Sequence, residues 1–428
     1  MIKAPQQFLL RRFVCLPTVL PSLSVVAAPA SSARRTPCGR LLARVLGAGP
    51  TGALAALALV EAGWAVELCD PLTAEALSQR RRAYAFNQSS RELLQRLDLW
   101  SALEPQLVAF DELQLWDLGI ERSVVFGLDD LAPGRSRSRA AAIGWIGRHD
   151  QLMAVLLGRL KQQANVSLQL GPSPAPVPEA AGSRRFDLVI GADGPESATR
   201  RSLGIGCWRQ PYRQFCLTAE VELRGAAADQ AWELLRPEGP FAVLPLGERR
   251  FQLVWSAPES RCRQLEGLPA SAFLDRLAAV LPDRFQPDAL LDQPRAYPVE
   301  LLLAQRLHRG RTLLVGESAH RCHPVGGQGL NLCWRDVAVL HQLACRAAQG
   351  KLHPRRLGAA YGRRRWPDLL LTLLATDLLV RVFSNRSPWL LPLRSLALTL
   401  LARFRRLRRL ALALMSSGAC AIQGAPPE

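Results

Sequence analysis

From residue 312 to 332 the chain reads Thr-Leu-Leu-Val-Gly-Glu-Ser-Ala-His-Arg-Cys-His-Pro-Val-Gly-Gly-Gln-Gly-Leu-Asn-Leu. A strand-like run, Thr312 to Val315, ends in a small turn at Gly316. Glycines 326, 327 and 329 then open a stretch that reads as a helix from Leu330 to Leu343. Glycine leaves backbone N–H groups uncovered, and at a helix N-terminus such groups suit a phosphate or the polar edge of a flat cofactor. A second glycine turn stands far upstream, Gly47-Ala-Gly49-Pro50-Thr51-Gly52. The two cannot belong to one βαβ unit, so they must meet in space.

The upstream turn has the context that gives such a motif meaning. Leu42 to Leu46 reads as a strand, Ala53 to Ala62 as an alanine- and leucine-rich helix, and Ala65 to Cys69 as a second strand closing on Asp70. In a G-x-G-x-x-G of this kind the first glycine permits the tight turn and the second lets a pyrophosphate approach the backbone. The third lets helix pack on strand, and the acid about twenty residues on accepts hydrogen bonds from a ribose. Phe186 to Ile190 is a further buried-type strand running into Gly191-Ala-Asp193-Gly194-Pro-Glu-Ser197-Ala-Thr-Arg200; alone, Asp-Gly after a strand is only a turn. Phe215 to Leu223, Phe241 to Leu246 and Phe251 to Trp255 alternate as an antiparallel sheet would, a suitable wall for a substrate cavity.

With 428 residues the chain has room for two domains plus tails. Its ten cysteines show no C-x-x-C, which argues against a disulfide framework or a zinc site. His320, Cys322 and His323 crowd into four residues of a glycine turn, a poor geometry for a metal, and none is expected. The net charge of +18 is carried by arginine, with lysine only at 3, 161 and 351. No finger, helix-turn-helix or aromatic-interleaved basic strand accompanies it, so nucleic acid is not the expected partner. A membrane surface fits better. Residues 388–415 alternate Leu/Ala blocks with Arg394, Arg403, Arg405, Arg406, Arg408 and Arg409, as in an arginine-faced helix lying in a membrane interface. The competing reading is an amphipathic helix packed on the body with a solvated arginine face. No stretch of about eighteen residues lacks charge, so no transmembrane span is expected. Residues 1–40 contain no acid and several arginines; a transit peptide, a twin-arginine export signal and a misassigned start all fit.

Three motifs now stand in order: Gly47-x-Gly49-x-x-Gly52 with Asp70; Gly191-Ala-Asp193-Gly194-x-x-Ser197-x-x-Arg200; and Gly316-Glu317-Ser-Ala-His320-x-x-x-Pro324-x-x-Gly327-Gln328-Gly329-Leu330-Asn331. Together they resemble the single-component flavin-dependent aromatic hydroxylases of the para-hydroxybenzoate hydroxylase fold, and more narrowly the ubiquinone-biosynthesis branch. Arg82-Ala-Tyr-Ala-Phe86, Gly239-Pro-Phe-Ala-Val-Leu-Pro245 and Tyr361-x-x-x-Arg365-x-x-Asp368 add to the likeness, which runs from about Arg44 to Gly418.

The resemblance implies an α/β protein in which a Rossmann-like FAD-binding domain is interleaved with an antiparallel-sheet substrate domain, followed by C-terminal helices. The expected parts are an extension over 1–40, FAD-binding sequence over 41–200 with inserted substrate-domain segments, a substrate domain over 201–305, more FAD-binding sequence over 306–350, and a helical, membrane-associating region over 351–428. It implies that Gly47, Gly49, Pro50, Thr51, Gly52 and Asp70 hold the adenosine half of FAD. Arg82 would lie near the phosphates or ribityl chain, and Asp193 and Gly194 near the pyrophosphate, helping NAD(P)H to bind. Glu317, beside Gly316 in the cofactor-binding turn, would meet the ribityl hydroxyls, while Pro324, Gly327, Gln328, Gly329, Leu330 and Asn331 line the isoalloxazine ring.

NAD(P)H would act as a transient reductant and O₂ as co-substrate in hydroxylating a lipophilic aromatic or quinone-type molecule. The cofactor would carry the hard chemistry and the protein would supply position, dryness and charge. His149, His320 and His323 suit structural roles as well as catalytic ones, and no general base is singled out. The family usually has Gly-Asp-Ala where this chain has Gly316-Glu317-Ser318, a departure that bears on flavin affinity. Two rival readings are a flavoprotein of similar fold acting as an isoprenoid reductase or carotenoid cyclase, and a non-catalytic membrane-associated accessory flavoprotein. The expected location is cytoplasmic or organellar, peripheral to a membrane.

Overall fold

The computed structural model describes residues 40–131, 142–172 and 186–418. The expectations for residues 1–40 fall, but for Arg40, outside them.

Six strands form the sheet that carries the first motif, in the order His308–Arg309, Thr312–Leu314, Leu188–Gly191, Leu42–Leu46, Ala65–Asp70, Val166–Leu170. All pair in parallel except His308–Arg309, which returns antiparallel on Thr312–Leu314. The third motif therefore enters the same sheet as the first, two strands away. After Leu46 the chain turns through Gly47 and enters a helix at Pro50–Glu61, three residues before the expected Ala53. Proline's fixed φ and missing N–H suit a first helical turn. Every residue from Gly52 to Leu59 is buried, so alanine and glycine let this helix sit close between the sheet and a long helix, Gln328–Ala348. That helix extends the expected Leu330–Leu343 at both ends.

The second sheet follows the path His320–Arg321, Arg295–Ala304, Cys207–Arg224, Arg250–Pro258, Phe241–Pro245, Gln230–Leu235, Glu112–Asp117, Arg122–Gly127, with Gln286–Leu290 paired beside Cys207–Arg224. The three expected strands are present, two with wider bounds and the third, Phe241–Pro245, one residue shorter. Two features differ from expectation. Gln230–Leu235 is a strand, and it pairs in parallel with Glu112–Asp117, so the sheet is mixed at that point. A near-continuous apolar run between polar turns hid the alternation there.

Strand periodicity divides the faces of this sheet. Leu217, Ala219, Val221, Trp232, Leu234, Phe241, Val243, Phe251, Leu253 and Trp255 form one core with Cys262, Leu265, Phe273 and Leu277 of the helices Glu259–Glu266 and Ala270–Ala278. The alternate residues, Cys216, Thr218, Glu233, Ala242, Gln252 and Val254, lie on the opposite face.

At the C-terminal end a helix over Pro354–Phe383 packs on Gln328–Ala348, and two more follow, Leu391–Arg403 and Arg405–Ser417. Leu398 and Leu412 are buried against strands and loops of the body. Much of the remaining apolar surface is exposed: Leu370, Leu374 and Leu378 at i, i+4, i+8 of one helix, Leu393, Leu396 and Leu400 of the next, and Trp389 between them, 87% exposed. Thus these helices bury leucines against the body on one side and leave leucines exposed on the other. Among the described residues no helix is long and apolar enough to cross a membrane.

Candidate functional site

The three glycine motifs converge. A Cβ built on Gly47 (φ +101°) would lie 2.4 Å from the carbonyl oxygen of Ala192, so the first turn rests on the second. One built on Gly316 (φ +71°) would lie 2.8 Å from Thr51 Cγ2, so the third rests on the first. Arg200, 2% exposed, donates to the carbonyls of Ser318 (2.7 Å) and Pro195 (2.8 Å) and ties the second to the third. The Ser318 hydroxyl, where the family pattern has alanine, donates to Gly191 O at 2.6 Å and accepts from Val315 N–H, stitching two strand ends together.

The glycines fall into two kinds. Gly52 leaves no room, since its Cβ would stand 1.8 Å from Gly47 O. Around Gly49, Gly194 and Gly329 a Cβ would meet nothing within 4 Å. Those three border open space. Gly49 is also the N-cap of Pro50–Glu61, and no side chain caps that helix, so its first N–H groups face the opening. Gly327 in the left-handed region opens Gln328–Ala348, again without a side-chain cap. A donor set of uncapped helix ends around open glycine backbone fits a dinucleotide that carries phosphates at one end and a polar ring edge at the other.

Asp70 accepts from Ala48 N–H at 2.7 Å and Leu72 N–H at 2.8 Å, which fixes its carboxylate at the rim of the first turn. Arg82 stands over the Tyr84 ring at 4.7 Å; Tyr84 and the Glu317 carboxylate both raise its pKa against the desolvation that lowers it. A cavity of about 490 Å³ beside it is lined by Arg80, Arg81, Arg82, Arg148, Asp150 and Gln252, a charge balance that suits a phosphate-bearing ligand. Glu317 makes no hydrogen bond among the described residues, so its carboxylate remains available to hydroxyl donors.

Other expected contacts are already engaged within the protein. Asp193 accepts from the Ser197 hydroxyl (2.5 Å) and from Thr199 N–H and hydroxyl (both 2.9 Å), capping the helix Ala198–Ser202. Asn331, 2% exposed, accepts from Asn87 N–H and the Ser90 hydroxyl and donates to the carbonyls of Ala85 and Gly327. Its amide locks the third turn against the strand Ala83–Phe86. Gln328 donates to Gly326 O and to Met415 O, so the last helix is drawn down beside the turn at Pro324–Gly329. Leu330 packs at the edge of the main core.

The histidines weighed as bases are satisfied. His149 Nε2 donates to Leu77 O (2.7 Å), which leaves Nδ1 to accept from the Tyr84 hydroxyl (2.8 Å). His320 Nε2 donates to Asp336 Oδ2 at 2.7 Å. His323 accepts from Val325 N–H and donates to Gln214 Oε1, and burial drives its pKa down to about 3. Neither His320 nor His323 joins Cys322 around a common point.

Sequence reasoning missed Glu233. It is 7% exposed, Oε2 accepts from Gly326 N–H at 3.2 Å, and burial pushes its carboxyl up to about 7. The signal was a lone acid in the apolar run Gln230–Leu235, visible once that run is read as a strand.

A model of the FAD binding domain matches residues 179–367. The chain is 30% identical to the 3-demethoxyubiquinol 3-hydroxylase of Escherichia coli over 392 residues, covering 86% of this chain and 96% of that one. It is 31% identical to the ubiquinone hydroxylase UbiL of Rhodospirillum rubrum over 386 residues, covering 86% and 87%. Among solved structures, p-nitrophenol 4-monooxygenase PnpA of Pseudomonas putida superposes with a TM-score of 0.73 at 18% identity, over 89% of this chain and 99% of that one.

Proposed function

The chain belongs to the FAD-dependent monooxygenases, in the branch of the ubiquinone hydroxylases, and from that premise we propose that it hydroxylates a lipophilic phenol or quinone precursor reached from a membrane surface. FAD, reduced by NAD(P)H, supplies the activation of O₂. The protein's own residues bind and orient. Gly47, Gly49, Pro50, Thr51 and Gly52 with Asp70 would hold the adenosine half, and Arg82 would neutralise phosphate charge. Gly194 leaves room at the pyrophosphate, and Asp193, which fixes that turn through Ser197 and Thr199, would lie beside it. Gly316 and Glu317 would meet the ribityl hydroxyls. Backbone N–H groups at Gln328 and Gly329 would face the ring, beside Pro324, and oppose charge that builds on it. Gln328, Leu330 and Asn331 hold that turn in place.

The observation that carries the substrate class is the two-sided helix Arg405–Ser417. Its inner end is anchored at the flavin turn, where Asn87 and Gln328 both donate to Met415 O at 3.1 Å. Its outer side, with Leu391–Arg403, exposes leucines beside arginines. A substrate dissolved in lipid would thus meet the protein on a helix whose inner side reaches the flavin turn. The test is to reconstitute the protein with FAD and follow NAD(P)H oxidation, O₂ uptake and product mass against prenylated phenols. Hydroxylated product with matching O₂ uptake is expected. Flavin reduction with no O₂-derived product would favour the reductase reading, and protein that takes up no FAD would sink both.

The surface part of the reading has its own expected result. Burying a leucine is worth about 1.5–3 kcal/mol, and an arginine near an anionic surface about 1 kcal/mol. The double variant Leu374→Asp/Leu378→Asp, at positions 66% and 62% exposed, should fold normally. It should bind vesicles of phosphatidylcholine with phosphatidylglycerol at least about tenfold more weakly in co-sedimentation. Equal sedimentation of variant and wild type would remove the leucine face of Pro354–Phe383 from the account.

A further inference from the structure

We propose that Glu233 takes the proton from the ring hydroxyl of the substrate, an inference that rests on the monooxygenase reading and assigns it a catalytic base. The described residues contain five buried acids: Asp117, Asp130, Glu233, Asp336 and Asp368. Four have an arginine: Asp117 with Arg394 (3.9 Å), Asp130 with Arg408 (2.9 Å), Asp336 with Arg365 (2.6 Å), Asp368 with Arg335 (2.8 Å). Glu233 has none among the described residues. A buried carboxyl kept for structure is paired, because desolvating an unpaired charge is costly. A buried carboxyl left unpaired in a site is a candidate for proton transfer.

Its position suits that work. Trp232 and Leu234 point into the far core of the sheet, so Glu233 points the other way. There its Oε2 takes the N–H of Gly326, in the turn that opens the flavin-ring segment. The carboxylate therefore sits at the seam between the substrate sheet and the flavin turn. Its strand neighbours are apolar, Ala242 on one side and Leu115 on the other. On the same face, the Cys216 thiol is pushed up to about 12 chiefly by burial, with Arg82 and Arg321 opposing and Glu233 adding to the rise. With His149, His320 and His323 engaged elsewhere, Glu233 is the buried acid that bonds directly to the flavin turn.

The step balances simply. The ring O–H breaks, its proton goes to Glu233, and the electron pair stays on oxygen and is shared into the ring. The enriched ring carbon bonds to one oxygen of the peroxide that O₂ and the two electrons of NAD(P)H supply; the O–O bond breaks, and the other oxygen leaves with that electron pair and ends as water. When that carbon loses its hydrogen as a proton, aromaticity returns and Glu233 gives its proton back to the ring oxygen. The base must be ionised to act, so product formation should rise with pH through about 7, where burial places this carboxyl.

Glu233→Gln tests this in the FAD-loaded full chain, with 2-prenylphenol as probe. The amide keeps an acceptor for Gly326 N–H, so FAD content and the urea midpoint should match wild type. Product per NAD(P)H oxidised should fall about a hundredfold, the oxidised remainder appearing as hydrogen peroxide, and the rise near pH 7 should vanish. Glu233→Asp should recover part of the yield and restore a pH-dependent rise. Glu233→Gln forming product with the wild-type yield and pH profile would overturn the proposal. Wild-type protein that takes up no FAD would instead overturn the reading beneath it.

Discussion

Arg365→Met is expected to cost about 3–5 kcal/mol of folding stability, the range for breaking a buried ion pair by removing one partner. Arg365 is 1% exposed and donates to Asp336 Oδ1 at 2.6 Å and also to Asp368. Asp336 in turn accepts from His320 Nε2 (2.7 Å) and Gly316 N–H (2.8 Å), while Arg335 donates to Asp368 (2.8 Å) and to the Thr372 hydroxyl (2.9 Å). Without Arg365, two buried carboxylates face one arginine. The loss should appear as a lower urea midpoint at an unchanged slope. The double variant Arg365→Met/Asp336→Leu should lose less than the two single changes together, since neither charge is then stranded. Additive losses would show that the pair is not coupled.

The network also has a functional consequence. Gly316 N–H, at the head of the third motif, is held by Asp336, and a Cβ on Gly418 would stand 2.0 Å from Asp368 Oδ1. The network thus anchors both the ribityl turn and the end of the last helix, so Arg365→Met should weaken FAD retention as well as folding. The pH dependence follows from the direction of the Asp336 shift. Its charged partners and hydrogen bonds overcome burial and hold the carboxyl well below the ordinary value. A depressed folded pKa means the contribution is complete above about pH 4 and is lost only as the pH falls below that. Arg365→Met should therefore flatten the acid limb of the stability curve.

The sequence was legible where backbone geometry forces residue type. A turn that needs positive φ at Gly47 and Gly316, and contact at 1.8 Å behind Gly52, admits only glycine, so these positions announced themselves and their meeting could be inferred. The two-fold alternation of Phe251-x-Leu253-x-Trp255 announced a half-buried strand for the same reason. What stayed hidden depends on partners remote in sequence. Nothing near Asp193 says that Ser197 and Thr199 use its oxygens, or that Asn331 serves four backbone and hydroxyl groups from three segments. Glu233 was hidden more deeply. Its strand pairs in parallel with one laid down over a hundred residues earlier, and its chemistry comes from lacking the arginine that its buried counterparts have.

Gly52→Ala and Gly49→Ala should separate packing from ligand binding, and the difference is large. The Gly52 Cβ would collide with a backbone atom, Gly47 O, that cannot rotate away, so the turn itself must move. Overpacking of this kind costs about 1–3 kcal/mol or more, and because the displaced turn is the phosphate cradle, the protein should emerge from desalting without flavin. At Gly49 the added methyl meets nothing and the backbone is extended (φ −63°, ψ −179°), so alanine is tolerated and the urea midpoint should hold. The methyl does fill the space through which a pyrophosphate would reach the first N–H groups of Pro50–Glu61. Each charged hydrogen bond lost there is worth about 1.5–3 kcal/mol, roughly tenfold to a hundredfold in Kd for FAD. Flavin absorbance after desalting and fluorescence titration of the apoprotein read the two effects. Full flavin retention by Gly52→Ala, or unchanged FAD affinity in Gly49→Ala, would mean that the open space beside Gly49 is not where the phosphates bind.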